Sequence, residues 1–227
     1  MNKVRRLVLS VLAAATFTTS VMAEDVKDAR ELLNQVSKAL GATDLKNLHY
    51  EGSGSSYLVQ EGPVPAGGWP HSVMRSYVGD IDLKEIRSRV QLVRLEGAPP
   101  AEKTLPREID SKSPWPVQAE FWITPYGFLR GAMANNATLE SKTVFGTPYR
   151  AITFHLPGGP PVVGYINDKN LIERVETRTS EKEEDAIEVL YRDYADFNGV
   201  KFPTLITEKR GGQLSLILIV KEVKVGN

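Results

Sequence analysis

The chain has 227 residues, 28 basic against 28 acidic, 41% of them hydrophobic, and no cysteine. The even charge excludes the electrostatic footprint of a nucleic-acid binder and the polybasic clusters that hold a protein on an anionic membrane. The missing cysteine excludes disulfide staples, a thiol nucleophile and a lipid-bearing cysteine, so the fold must rest on its hydrophobic core.

Residues 1–23 read as a cleavable secretory signal. Lys3, Arg5 and Arg6 form a positive start, Leu7 to Phe17 is uncharged and apolar, and Val21-Met22-Ala23 offers a small residue for cleavage before Glu24. The 11-residue apolar stretch falls short of the roughly 20 residues needed to span a bilayer. Arg5-Arg6 also admits a twin-arginine signal, but its flanks fit only in part and no cofactor motif follows, which favours the ordinary secretion route. Cleavage near Ala23 leaves residues 24–227 as one domain with 25 basic and 28 acidic residues, expected to be periplasmic or secreted and without a transmembrane anchor.

Val26, Ala29, Leu32, Leu33, Val36 and Leu40 recur at helical spacing, with Glu24 or Asp25 at the start and Gly41 as the stop. From His49 the pattern turns to strands. His49 to Gln60 mixes aromatics with Gly and Ser, Glu61 to Pro70 is a Gly/Pro loop, and Ser72 to Val78 with Glu85 to Leu95 form a long hairpin. Five prolines make Ala98 to Pro116 a second irregular segment. The alternation of Val117, Ala119, Phe121 and Ile123 predicts a strand over 117–124, followed by a short helix or loop over 128–139 and a strand over 149–156 that carries Ile152 and Phe154.

Three hairpins close the chain. Val162 to Ile166 and Leu171 to Arg178 flank Asn167-Asp168-Lys169-Asn170. Ile187 to Phe197 and Val200 to Glu208 flank Asn198-Gly199, a pair suited to a type I′ turn. Gly211-Gly212 then leads into Leu214 to Val225. Pro203 predicts an edge strand or a bulge. In the last strand Leu214, Leu216, Leu218 and Val220 fall on one face and Ile217, Ile219, Val223 and Val225 on the other, which calls for cover on both sides. The expected fold is mainly β (α+β): about nine or ten strands in a strongly curved antiparallel sheet or half-open barrel, with an N-terminal helix.

Catalytic motifs are absent. His49, His71 and His155 are far apart and lack metal-ligand spacing. Gly52-Ser53-Gly54-Ser55 is not a nucleophile elbow, and Gly158-Gly159-Pro160-Pro161 reads as a turn. Asp80 and Asp82 could share a face but end a strand, as solvated turn residues do. Trp69, Trp115 and Trp122, with Phe121, Tyr126 and Phe128, suit either the lining of a pocket or anchors for loops. We expect a non-enzyme with no cofactor and no metal.

The stretches Phe121 to Leu129, Ala134 to Thr138, Gly164 to Thr177 and Tyr191 to Pro203 together resemble the N-terminal domain of certain exported bacterial metallo-β-lactamase-fold proteins. The Tyr191 to Pro203 element, with the opening helix, also resembles the LolA-like lipoprotein-carrier fold. The H-x-H-x-D-H motif of the zinc hydrolases does not occur, so hydrolase activity is not carried over. The carrier resemblance implies a half-barrel that holds an acyl chain or another apolar ligand. On that reading the lining residues are Phe121, Ile123, Ile152, Phe154, Val175, Leu216 and Leu218. The alternative is a stand-alone protein-interaction module with a filled core and an apolar patch outside the sheet.

Overall fold

The computed structural model describes residues 28–58, 65–66, 68–97 and 99–226. The expected signal segment 1–23, Val26 and part of the loop 61–70 lie outside these residues. The first element is helix α1 (Ala29–Leu40), capped by Asp28, whose carboxylate accepts from the Arg30 N–H at 2.9 Å. The cap therefore lies a few residues beyond the Glu24 or Asp25 expected. Gly41 ends the helix with φ 69°, a left-handed conformation that glycine adopts without penalty.

Four strands follow: β1 (Asn47–Tyr57), β2 (His71–Asp82), β3 (Arg87–Glu96) and β4 (Ala101–Ile109). Helices α2 (Trp115–Trp122) and α3 (Pro125–Ala134) come next. Seven more strands complete the chain: β5 (Thr138–Val144), β6 (Thr147–Phe154), β7 (Val162–Ile166), β8 (Ile172–Arg178), β9 (Ala186–Phe197), β10 (Val200–Arg210) and β11 (Gln213–Gly226). All eleven form one curved, open antiparallel sheet in the order β4-β3-β2-β1-β11-β10-β9-β8-β7-β6-β5.

This order explains where the helices go. The two edge strands, β4 and β5, are neighbours in sequence, yet the whole width of the sheet separates them. The chain between them crosses from one edge to the other as α2 and α3, and α1 packs beside α3. One core results, between the helices and the face of the sheet they cover, and it includes Leu32, Val36, Phe121, Phe128, Ile152, Phe154 and Leu218.

Four sequence expectations change. The segment 98–116 contains β4, with Pro106 opposite Gln91. As an edge strand, β4 tolerates a residue without an N–H. Residues 117–124 are helical rather than extended. Helix α2 buries Ala119, Phe121 and Trp122 and half-buries Val117, so the period-two pattern was one reading of a helix apolar on several sides. Segment 128–139 holds the rest of α3 and the start of β5, and with β4 this raises the strand count to eleven.

The fourth change concerns the last strand. A bulge opposite Glu51 and Gly52 interrupts the β1–β11 register, and Lys221 is left out of the pairing. Beyond it Val223 is buried, as are Leu218 and Val220 before it, so the alternation restarts one residue later. Val223 therefore lies on the core side, and Ile217 and Ile219 remain on the outer side with Ile219 51% exposed. Pro203 is not on an edge strand. It faces Tyr194 of β9, next to Asp193 with φ 54°, and β11 pairs with β10 only from Leu205 onward. The Asn198-Gly199 turn has φ 56° and 88°, as a type I′ turn requires.

Candidate functional site

The helices do not fill the concave face completely. Proline and capping residues fix where they lie: Pro116 enters the first turn of α2, and Thr124 caps α3 by accepting from the Gly127 N–H at 3.0 Å, with Pro125 just behind it. Tyr191 of β9 donates its hydroxyl to the Ile123 carbonyl and ties the α2–α3 junction to the sheet. Tyr126 of α3 donates to the carbonyls of Lys201, at 2.6 Å, and Leu40, at 3.2 Å, linking α3 to β10 and to the end of α1.

Between that junction and the strands lies a cavity of about 70 Å³. Ile123, Pro125, Val90, Ile109, Val189, Phe202, Ile206, Leu216 and Leu218 line its apolar part. An aromatic row crosses it. Tyr50 stacks on Tyr77 at 5.7 Å and packs on Phe202 at 5.0 Å, and Phe202 stacks on Tyr126 at 6.1 Å. Glu120 of α2 and Glu208 of β10 supply its polar end.

Both carboxylates are held from outside the cavity. Arg210 contacts Glu120 at 3.1 Å and Glu208 at 2.7 Å, Arg107 of β4 pairs with Glu120, and Ser215 donates to Glu208 at 2.9 Å. Burial lowers the pKa of the Arg210 guanidinium, but the Glu208 and Glu120 charges more than offset this and raise it. Glu120 thus joins α2 to two well-separated strands, β4 and β10. Burial pushes the Tyr50 hydroxyl up to about 12, and burial, reinforced by Tyr50, Glu208 and Glu120, pushes Tyr77 well above 10. Both phenols stay neutral and can donate.

The seven lining residues named from sequence divide into two groups. Ile123, Leu216 and Leu218 line the cavity. Phe121, Ile152, Phe154 and Val175 are fully buried in the adjoining core under the helices, where Phe154 meets Trp122 at 6.3 Å and Phe128 at 5.5 Å. Sequence reasoning missed Tyr50, Tyr77, Glu120 and Glu208. The available signal was Thr124-Pro125, a cap followed by a first-turn proline, which marks the start of α3 and ends the segment that carries Glu120.

The histidines do not converge. His49 lies between Asp80 at 2.7 Å and Glu51 at 2.8 Å, while His71 packs near Tyr57 at 5.7 Å. Asp82 instead caps the following turn through the Lys84 and Glu85 N–H groups. Among the described residues no three His, Asp or Glu side chains form a group that could hold a metal ion. None of the described helices is long and apolar enough to cross a membrane. A larger groove of about 830 Å³ opens on the sheet face away from the helices, where Lys169, Glu173, Arg174, Glu188, Arg192 and Lys209 alternate with Phe145, Tyr149, Leu171, Leu190 and Tyr194, so its wall is mixed and charged.

An antiparallel sheet curved around helices that run between its two edges is the arrangement this chain shares with LolA-like structures. Among solved structures the chain is similar to a LolA-superfamily protein from Nitrosomonas europaea, with TM-score 0.51 and 11% identity over 88% of this chain and 94% of that one. It is also similar to a DUF1329-family protein from Desulfovibrio piger, with TM-score 0.50 and 9% identity over 87% and 91% of the two chains. At these identities the likeness is one of fold. No family model matches the sequence, and no curated protein matches it.

Proposed function

We propose that this is a non-catalytic periplasmic protein that binds or carries a hydrophobic ligand, a lipid or a lipoprotein acyl chain, after loss of its signal near Ala23. The observation that carries the reading is the apolar cavity between the α2–α3 junction and the concave sheet, with Ile123, Leu216 and Leu218 in its wall. Phe121, Ile152, Phe154 and Val175 continue the same apolar surface beneath the helices. At about 70 Å³ the cavity is smaller than the roughly 300–1,000 Å³ of a small-molecule site, so loading requires α2 and α3 to move outward. Burying about 300 Å² of chain would contribute about 7 kcal/mol before the costs of association and of that movement.

The test is organic extraction and mass spectrometry of the protein purified from periplasm, together with titration of an apolar fluorophore. A co-purifying lipid or saturable fluorophore binding is the expected result. A protein that carries no lipid and binds no fluorophore overturns the reading.

One observation favours a second reading, a protein-interaction module related to the N-terminal domain of metallo-β-lactamase-fold hydrolases. Phe145, at the β5–β6 turn, is 98% exposed and has φ 50°, an unfavourable conformation for a bulky residue. On this reading Phe145→Ser abolishes association with a partner protein and leaves fluorophore binding intact.

A further inference from the structure

The polar end of the cavity has unused hydrogen-bonding capacity. Tyr50 is only 5% exposed and lines the cavity, yet among the described residues its hydroxyl has one polar side-chain contact, the Tyr77 hydroxyl at 3.5 Å. Hydroxyl–hydroxyl hydrogen bonds span about 2.5–3.0 Å, so this contact leaves both phenols essentially unpartnered. A buried polar group in that condition normally has a partner. Glu120 and Glu208 face the same space, and neither is hydrogen-bonded to either tyrosine among the described residues. Arg210 and Arg107, which hold these carboxylates, do not line the cavity. The cavity therefore presents acceptors from two carboxylates and donors from two phenols that are not bonded to one another, with the Ser88 and Thr124 hydroxyls also in its wall.

Resting on the carrier reading, we infer that the ligand is an amphiphile whose apolar chain ends in a hydroxyl group, seated between the Glu120 and Glu208 carboxylates and the Tyr50 and Tyr77 hydroxyls. A hydroxyl both donates and accepts, so it meets both kinds of group at once. An ammonium only donates, and it adds a positive charge where two glutamates are already balanced by two arginines. A carboxylate only accepts, and it brings a negative charge against Glu120 and Glu208. A plain hydrocarbon fills the apolar part and leaves the phenols unpartnered, a costly outcome in a buried site.

The experiment is displacement of a bound apolar fluorophore by four ten-carbon probes: 1-decanol, decylamine, decanoate and decane. Decanol is expected to displace at a concentration about tenfold lower than decane or decanoate, with decylamine between, as one net hydrogen bond to a charged group gives. Tyr50→Phe removes only an unpartnered hydroxyl, so the fold should be unaffected, as an unchanged Tm verifies. In this variant decanol should lose most of its advantage over decane. Glu208→Gln should narrow the gap between decanol and decanoate. Equal displacement by all four probes, or an advantage of decanol that survives Tyr50→Phe, overturns this inference and leaves apolar binding standing. If neither fluorophore nor probe binds, this inference and the carrier reading fall together.

Discussion

Replacing Gly164 by alanine places a methyl group against the ring that seats α3 on the sheet. A Cβ built at Gly164 of β7 would lie 2.5 and 2.6 Å from the Phe128 Cε1 and Cε2 atoms. Ordinary carbon–carbon contact is about 3.5–4.0 Å, so the ring must retreat by about 1 Å. Phe128 is fully buried and packs on Phe154 at 5.5 Å, so there is nowhere to retreat without shifting α3 or β6. Overpacking of this kind costs about 1–3 kcal/mol. In a domain of this size each kcal/mol lowers Tm by about 2–4 °C. Urea titration of wild type, Gly164→Ala, Phe128→Leu and the double variant measures the coupling. The double variant should be more stable than the sum of the single losses allows, because the smaller leucine side chain in place of Phe128 yields the space the methyl group takes. A Gly164→Ala protein as stable as wild type, or a double variant whose losses simply add, refutes the claim that the Phe128 ring sets this spacing.

Tyr126→Phe removes the only side-chain donor to the Lys201 and Leu40 carbonyls among the described residues, and a loss of about 1–3 kcal/mol in chemical denaturation is expected. Arg210→Met removes the guanidinium from both Glu120 and Glu208; it should cost about 1.5–3 kcal/mol, and Glu120→Gln should recover part of it in a double-mutant cycle read by urea midpoints. Hydrogen bonds to Asp80 and then Glu51 raise the His49 pKa above its ordinary 6.5. Because the folded value is the higher one, this stabilisation is complete below pH 6.5 and is lost as pH rises through the folded pKa. The stability gap between wild type and His49→Gln should therefore be larger at about pH 5.5 than at about pH 8.5, and an NMR titration of His49 should give a midpoint above that of a free histidine.

The hairpins of the C-terminal third were legible because their turns are local chemistry. Asn198-Gly199 and Gly211-Gly212 take positive φ, as their residue types suggest, and β7 runs from Val162 to Ile166 as the pattern indicates. The curved sheet and the opening helix follow from the same local signals. What failed was periodicity in a segment buried on several sides. In α2 the alternation of Val117, Ala119, Phe121 and Ile123 mimics a strand, and Gln118 and Glu120 look like its polar face, although Gln118 bonds the Ser113 carbonyl at 2.7 Å and Glu120 reaches Arg210. In β11 the alternation was read straight through, but a single omitted residue at the bulge turned Val223 back to the core. The cavity groups Tyr50, Tyr77, Glu120 and Glu208 come from four different elements, so no spacing along the chain joins them.

The pairing of β1 with β11 places the earliest strand of the sheet beside the last, from Asn47 opposite Gly226, across the bulge, to Ser56 opposite Leu216. This seam joins the four strands β1–β4 to the seven strands β5–β11. A ribosome that has emitted everything up to β10 has therefore made two separate sheets, each with a bare hydrogen-bonding flank. Such a long-range closure is slow, and it cannot begin until the C-terminal strand is free. A chain shortened by that strand loses the joint between its halves rather than one element at its rim, so truncation there should be far more damaging than removal of the edge strand β4.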